Sequence, residues 1–319
     1  MGESLRVAVI GAGALANREH YPALASFDDV ELVGACDLDE ARLHATADRF
    51  DIEARFTDYR RMIEETAPQA VYVILRPHHT FDPAVFCLQQ GLHMFIEKPP
   101  GVTSYQTRAL AQLAESHGCL TMVGLNRRYS PLLRACRDLV IERGPMIQSV
   151  AAPCLHQREP YYAGAVDILY CHGIHYLDTL RWLGGEVTEV VADVRTGPSC
   201  FETRWTALLR HEGGCTGVLA ANWAAGGQRP YTFEMHGVGV SVFAHLSGKT
   251  EVWIEGQRVE GALSQFPTAG AEDAQRWFGF REENRHFIDC VRAGTQPDTS
   301  LAESVRSMEL ADRIYRHQL

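Results

Sequence analysis

The chain has 319 residues, which is enough for two domains that each bury a core. Its 46% hydrophobic and 22% charged residues are ordinary for a globular protein. A formal net charge of −10 argues against nucleic acid or an anionic membrane surface as the main partner. The opening residues lack the features of a secretory signal, no apolar run is long enough to span a bilayer, and the cysteines stand singly. We therefore expect a cytoplasmic protein with reduced thiols.

The first predicted elements are a strand, "LRVAVI", a glycine-rich turn, "GAGALA", and a helix. A GxGxxG-type motif between a strand and a helix indicates dinucleotide binding. Gly11 permits the tight turn, Gly13 lets the backbone approach a pyrophosphate at the helix N-terminus, and Ala16 supplies the small third residue. The turn predicts a dinucleotide site formed by Gly11, Gly13, Ala14 and Leu15.

A second predicted strand, "VELVGACD", ends at Asp37, at the distance typical of a ribose-binding acid. A carboxylate there can accept hydrogen bonds from both ribose hydroxyls and would repel a 2′-phosphate, which favours NAD over NADP. The alternative is that Asp37 only caps the helix that follows.

Strands and helices go on alternating as far as "LTMVGL", which predicts a doubly wound parallel sheet in an α/β fold. Ligands of such sheets bind beyond the carboxyl ends of the strands. We therefore expect cofactor contacts from residues at or just after strand ends, namely Asp37, Arg76, Pro77, His78, Glu97, Lys98 and Asn126.

Several segments in chain order resemble the Gfo/Idh/MocA family of oxidoreductases. They are "VAVIGAGALANREHYPAL", "FIEKPPG", "GCLTMVGLNRRYSP", "GIHYLDTLRWLGG" and the final helical stretch from "REENRHF" onwards. The resemblance implies an N-terminal Rossmann domain, residues 1–125, and a C-terminal α/β domain with a large, mostly antiparallel sheet, residues 126–319. The second domain would bind substrate and form a homodimer or homotetramer through the open face of its sheet.

By the same resemblance, Lys98 and His175 are the catalytic residues. Oxidation of an alcohol carbon by hydride transfer requires loss of the hydroxyl proton and stabilisation of charge on that oxygen. An ammonium and an imidazole suit those two tasks. The alternatives are a surface lysine at position 98 and a core histidine at position 175.

The sequence departs from the family pattern at two places. Cys171 stands where family members have an aspartate four residues before the histidine, and a thiol cannot orient an imidazole as a carboxylate does. Asp167 or Asp178 could take over that task. In "LRPHHTF", Arg76, His78 and Phe81 replace the usual threonine, asparagine and histidine, so the polar contacts to the cofactor must differ.

Candidate substrate residues are Arg128, Tyr162, Cys171, His172 and Asp178. Arg127 or Arg128 could hold an anionic or hydroxyl-rich substrate, although an ion pair is the alternative for each. Core packing is the default expectation for other polar or aromatic residues that could line a sugar-sized pocket, namely His156, Tyr161, Trp205 and Trp223.

The expected function is hydride transfer between NAD(P) and a secondary alcohol or ketone of a sugar, sugar nucleotide or cyclitol. Two alternatives are an enzyme that retains NAD and uses transient oxidation for glycosidic cleavage or elimination, and a regulatory protein with a degraded catalytic set. A metal enzyme is a further alternative, because Cys171, His172, His175 and Asp178 offer ligands. We expect no metal, because His172 lies off the helical stripe of the other three and no distant motif completes a set.

Overall fold

The computed structural model describes residues 3–197, 201–246, 250–266 and 278–319. The chain divides into two compact units. The first comprises Met1–Leu125 and Phe280–Arg306, and the second comprises Asn126–Gly279 and Ser307–Leu319. The predicted domain boundary also follows Leu125, but the prediction places residues 280–306 in the second domain.

Residues 280–306 belong to the first unit because they bond to its last strand. The backbone N–H of Val123 donates to the carbonyl oxygen of Thr299 at 2.8 Å, and the Thr299 hydroxyl donates to the Val123 carbonyl at 3.0 Å. The Thr121 N–H donates to the Gln296 side chain at 3.2 Å. Such long-range pairing leaves no trace in local sequence.

The first unit is built on a parallel sheet of six described strands in the order β3-β2-β1-β4-β5-β6. Its strands are β1 (Leu5–Ile10), β2 (Val30–Cys36), β3 (Arg55–Phe56), β4 (Ala70–Val73), β5 (His93–Ile96) and β6 (Thr121–Val123). The helices joining them are α1 (Tyr21–Ala25), α2 (Glu40–Arg49), α3 (Tyr59–Thr66), α4 (Phe81–Gln89) and α5 (Ser104–Ser116).

Local chemistry explains where these helices begin. The side chains of Asp39, Asp58 and Thr103 accept hydrogen bonds from backbone N–H groups in the first turns of α2, α3 and α5. All four residues of β4 are buried, as expected of a central strand covered on both faces. The predicted Rossmann-type parallel sheet is confirmed.

The second unit carries a mixed sheet of ten described strands. They are β7 (Gln148–Ala151), β8 (Cys154–His156), β9 (Val187–Thr196), β10 (Glu202–His211), β11 (Thr216–Asn222), β12 (Ala224–Arg229), β13 (Thr232–Gly237), β14 (Val240–His245), β15 (Glu251–Ile254) and β16 (Gln257–Arg258). Its helices are α6 (Pro131–Ile141) and α7 (Ile174–Gly184), and two C-terminal helices follow, α8 (Phe280–Ala293) in the first unit and α9 (Leu301–Arg316).

Most pairings of the described strands in this sheet are antiparallel. The exceptions are the parallel contacts of β11 with β7 and β8. In β10 burial alternates strictly, with Trp205, Ala207 and Leu209 buried and Leu208 exposed, so one face packs on the core and the other is open. The predicted α/β architecture of the second unit is confirmed.

No helix in the described ranges has both the length and the apolar character needed to cross a membrane.

Candidate active site

The glycine turn follows β1 and has the geometry that its motif predicts. Gly11 has φ +114°, and a Cβ there would lie 2.1 Å from the carbonyl oxygen of Ile74. A Cβ at Gly13 would meet no atom within 4 Å, so the backbone at this residue borders open space that a pyrophosphate requires. Ala14 is exposed, Leu15 is half-buried and Ala16 is buried, as a small packing residue should be. The turn fits a dinucleotide.

Asp37 is tied to the glycine turn and does not cap the helix that follows it. Its Oδ2 accepts from the Ala12 N–H at 2.7 Å, and its Oδ1 accepts from the Asp39 N–H at 2.9 Å. The cap of α2 is Asp39. Arg42 donates to both Asp37 carboxylate oxygens, at 2.7 and 3.2 Å. Burial opposes ionisation, yet the hydrogen bonds from Arg42, Asp39 and Ala12 hold the pKa of Asp37 below its usual range.

The segment after β4 has its polar side chains on the surface. Arg76 and His78 are exposed, while Pro77 is buried in a short 3₁₀ turn, Pro77–His79. Slight burial, with the neighbouring charges of His79 and Arg76, lowers the pKa of His78. These positions lie at the same carboxyl edge of the sheet as the glycine turn, because β1 and β4 are adjacent and parallel.

Glu97 follows β5 and is buried against a histidine that the sequence analysis did not single out. The Glu97 carboxylate lies 3.0 Å from Nε2 of His20 and accepts from the Lys98 backbone N–H at 3.1 Å. Nδ1 of His20 lies 3.2 Å from Oδ1 of Asn284, whose amide nitrogen donates to the Phe280 carbonyl at 2.6 Å.

His20 links Asn284 to Glu97. Because the Asn284 amide nitrogen already acts as a donor, its oxygen is the acceptor that faces His20 Nδ1. The other ring nitrogen, Nε2, faces the Glu97 carboxylate. The carboxylate of Glu97 is thus anchored directly beside Lys98, which is half-buried at the end of β5. His20 and Asn284 are 264 residues apart, so only the fold could reveal the pair.

Within the described ranges, one group has metal-ligand character. Ligand atoms of His20, Glu97 and Glu283 lie within 4.8 Å of one another, and all three residues are buried. The nitrogens of His20 face Asn284 and Glu97, which favours a hydrogen-bonded network over a metal centre. The residues that the sequence analysis weighed as ligands, Cys171, His172, His175 and Asp178, do not form such a group.

The helix that carries His175 does not start as a regular α-helix. A π-helical segment, Leu169–Gly173, precedes α7, and its wider turn breaks the straight stripe predicted through Cys171, His175 and Asp178. Cys171 and His175 are both buried. The rings of His172 and His175 lie 6.2 Å apart, edge to face.

Asp178 and Arg128 form a buried bidentate ion pair. Arg128 Nε and an Nη donate to the two Asp178 oxygens at 2.7 and 2.6 Å. The Ser307 hydroxyl also donates to Asp178, at 2.9 Å, and an Nη of Arg181 lies 4.0 Å from it. Arg128 and Asp178, both predicted substrate residues, therefore bond to each other inside the protein. This pairing favours a structural role for them over direct contact with substrate.

Asp167 is likewise engaged. Its carboxylate accepts from the Tyr315 hydroxyl and from the Leu169 N–H, each at 2.8 Å. Burial raises its pKa, and the Tyr315 hydrogen bond offsets part of that effect. The two carboxylates considered as replacements for the aspartate missing at position 171 are thus both committed to other partners.

Aromatic residues surround His172. The Tyr161 hydroxyl lies 3.1 Å from His172 Nδ1, and the Trp223 and Tyr176 rings lie 5.5 and 6.0 Å from the His172 ring. Tyr162 is exposed and has a left-handed backbone, with φ +51°, which is uncommon outside glycine. Asn126, which also belongs to this unit, is buried and donates to the Phe278 carbonyl at 2.9 Å.

Comparisons with known proteins agree with this geometry. A family model described as "Oxidoreductase family, NAD-binding Rossmann fold" matches residues 5–125, and a model described as "GFO/IDH/MocA C-terminal domain" matches residues 155–242.

Similar proteins include dehydrogenases. D-apiose dehydrogenase from Paraburkholderia graminis is 29% identical over 97% of this chain and 86% of the relative. D-xylose 1-dehydrogenase (NADP(+)) 2 from Haloferax volcanii is 22% identical over 96% of this chain and 95% of the relative. A solved structure of levoglucosan dehydrogenase with NADH and levoglucosan has a TM-score of 0.83 at 21% identity, covering 99% of this chain and 97% of that one.

Proposed function

The chain belongs to the Gfo/Idh/MocA family of oxidoreductases, and from this premise we propose that it is an NAD-dependent dehydrogenase of a sugar, sugar nucleotide or cyclitol. The observation that carries the proposal is the glycine turn, where open space at Gly13 adjoins the Asp37 carboxylate bonded to Ala12. The similarity to D-apiose dehydrogenase supports a small polyol as substrate.

Three sets of residues hold the cofactor. The turn from Gly11 to Leu15 holds the pyrophosphate, and Asp37 accepts hydrogen bonds from the ribose. Arg76, Pro77 and His78 line the cofactor from the next strand. The bound nicotinamide supplies the hydride acceptor or donor.

Lys98 and His175 act on the substrate oxygen. The ammonium of Lys98 stabilises negative charge on that oxygen, and the imidazole of His175 takes or returns the hydroxyl proton. Glu97, anchored by His20, orients the backbone at Lys98. A positioning role for Glu97 follows, alongside the cofactor contact predicted for it.

NAD is the proposed cofactor in preference to NADP. Asp37 carries a lowered pKa and is ionised at neutral pH, so a 2′-phosphate near it would meet a negative charge. Arg42 lies beside Asp37, however, and one similar protein is named as NADP-linked, so both dinucleotides belong in the binding test.

The buried thiol of Cys171 favours one second candidate. Without a carboxylate at this position, ordinary alcohol oxidation lacks one supporting charge. A regulatory protein that binds NAD but has a degraded catalytic set is that candidate.

The experiment is a binding and turnover assay on the purified protein. We expect NAD to bind by calorimetry and a panel of sugars and cyclitols to yield absorbance of NADH. Lys98→Met and His175→Gln should each lower kcat about 10²- to 10⁴-fold while leaving the Kd of NAD within a few-fold. Absence of NAD binding would overturn the proposal. NAD binding without turnover of any substrate in the panel would favour the second candidate.

We propose further that the protein is a homo-oligomer joined through the open face of the second sheet. Val191 and Leu208 are direct partners on β9 and β10, and both are exposed, as are Phe243 and Trp253 on β14 and β15. Light scattering should show that Leu208→Glu yields a smaller species. Tyr105→Glu, at another exposed apolar position, is the control and should leave the mass unchanged. A cytoplasmic location stays a prediction.

A further inference from the structure

Two adjacent arginines in the segment Asn126–Tyr129 differ sharply in their partners. The guanidinium of Arg128 is paired with Asp178. Arg127 is only 5% exposed, its Nε is buried, and in the described part of the chain that nitrogen has no hydrogen-bond partner. No described carboxylate pairs with Arg127 either, whereas the neighbouring Arg128 is paired with Asp178.

Aromatic rings surround Arg127 instead of anions. Its guanidinium carbon lies 4.4 Å from the ring centroid of Tyr231 and 5.5 Å from that of Phe278. Such contacts use the flat face of the guanidinium and leave the N–H edge available. The charge of Arg127 also acts on Tyr176, where burial raises the pKa and Arg127 opposes that effect.

The position of Tyr176 connects Arg127 to the candidate catalytic helix. Tyr176 follows His175 in α7, and its ring lies 6.0 Å from the rings of both His172 and Trp223. Arg127 therefore lies within electrostatic range of Tyr176, which belongs to the aromatic cluster that includes the predicted substrate residue His172.

A buried positive charge without a counter-ion is costly to the protein, and aromatic faces recover only part of the lost hydration. Guanidinium N–H groups match the two oxygens of a carboxylate or phosphate. We propose that Arg127 binds an oxyanion carried by the substrate, so that the enzyme acts on an acidic sugar or cyclitol. The assignment to substrate rests on the proposed function, whereas the anion site itself does not.

The first test is binding without cofactor or turnover. Thermal shift and calorimetry would compare D-glucuronate, D-glucose 6-phosphate, inorganic phosphate and neutral D-glucose, at up to about 100 mM. The wild-type protein should be stabilised by at least one organic anion, and by D-glucose much less. A preference for glucuronate would identify a carboxylate as the bound group, and a preference for glucose 6-phosphate would identify a phosphate.

Arg127→Met should weaken anion binding at least about tenfold. Arg137→Met is the matched control, because Arg137 also stacks on an aromatic ring, that of Trp182 at 5.1 Å, but lies 3.6 Å from the Asp138 carboxylate. The control should bind the anion as the wild type does. No anion binding by the wild type, or unchanged binding by Arg127→Met, would overturn the inference.

Stability without any anion is the second test. Removal of a charge that no described carboxylate compensates should leave Tm of Arg127→Met equal to or above that of the wild type, whereas Arg128→Met should lower it. If both variants lower Tm equally, Arg127 has a partner within the protein and the inference fails. Anion binding that depends on Arg127, with no dehydrogenase activity on any sugar, would instead overturn the proposed function and leave the anion site standing.

Discussion

Two aspartate–arginine pairs, one in each unit, have nearly the same length and different surroundings. Arg42 and Asp37 approach to 2.7 Å with side chains 47% and 8% exposed. Arg128 and Asp178 approach to 2.6 Å with side chains 9% and 1% exposed. Contact distance therefore says little about what such a pair does. The two pairs differ in the exposure of the arginine and in the other hydrogen bonds of the carboxylate.

The other partners of each carboxylate make the same distinction. Asp37 accepts from the backbone of Ala12 and Asp39, so it is fixed to the turn that a dinucleotide would contact. Asp178 accepts from the Ser307 hydroxyl and joins α7 to the segments that carry Arg128 and Ser307. One pair borders the predicted cofactor, and the other holds the second unit together.

Loss of Arg128 should have the largest effect on stability. Arg128→Met leaves the Asp178 carboxylate buried without its main counter-ion, which we expect to cost about 3–5 kcal/mol. Urea unfolding followed by tryptophan fluorescence would measure it. Arg42→Met is the control, and we expect it to cost less than about 1 kcal/mol because the Arg42 side chain is 47% exposed. Equal losses for the two variants would contradict the comparison.

Loss of the charge on Asp37 should affect cofactor binding next most strongly. Asp37→Asn removes a charged acceptor for the ribose hydroxyls, and we expect the Kd of NAD to rise about 10- to 100-fold. The Kd of NADP should rise less or fall, because the repulsion is gone. Calorimetry with both dinucleotides checks this, and an unchanged ratio of the two Kd values would show that Asp37 does not select the cofactor.

The pH dependence of stability should show a smaller effect of Asp37. Because its pKa is lowered in the folded protein, its ionised form stabilises the fold above the usual aspartate pKa. That contribution is lost as pH falls through the usual value and then through the lowered one. The Tm difference between the wild type and Asp37→Asn should therefore narrow as the pH is lowered below about 4. A Tm difference that stays constant as the pH is lowered would contradict a stabilising contribution from the ionised Asp37 carboxylate.

Arg42→Ala should have the smallest effect on NAD. The hydrogen bonds from Ala12 and Asp39 keep the Asp37 carboxylate in place, so we expect less than a threefold change in the Kd of NAD, about 0.6 kcal/mol. If Arg42 also meets a 2′-phosphate, NADP alone should bind more weakly in this variant. A large loss of NAD affinity would instead mean that Arg42 is needed to hold Asp37 in position.

Short-range features were predictable from the sequence. The turn at Gly11 and Gly13, the alternation of strands and helices and the acid at the end of β2 all depend on spacings of a few residues, and the structure contains each of them. A short-range feature also excludes a cap of α2 by Asp37, because Asp39, two residues later, is the N-cap of that helix.

Long-range contacts could not be predicted from the sequence. The pairing of Arg128 with Asp178 spans 50 positions, and that of His20 with Asn284 spans 264. The π-helical segment before α7 was also unpredictable, because its residues have no composition that separates it from an α-helix. The stripe expected through Cys171 and His175 assumed regular 3.6-residue turns and failed for that reason.

The division of the chain bears on how the protein is made. Strand β6 of the first unit bonds to Thr299 and Gln296, and His20 bonds to Asn284. A ribosome has therefore to synthesise residues 126–279 before the nucleotide-binding half can close. A nascent chain halted at Leu125 should expose an incomplete sheet edge, and a shortened gene product of that length should aggregate unless residues 280–306 are supplied in trans.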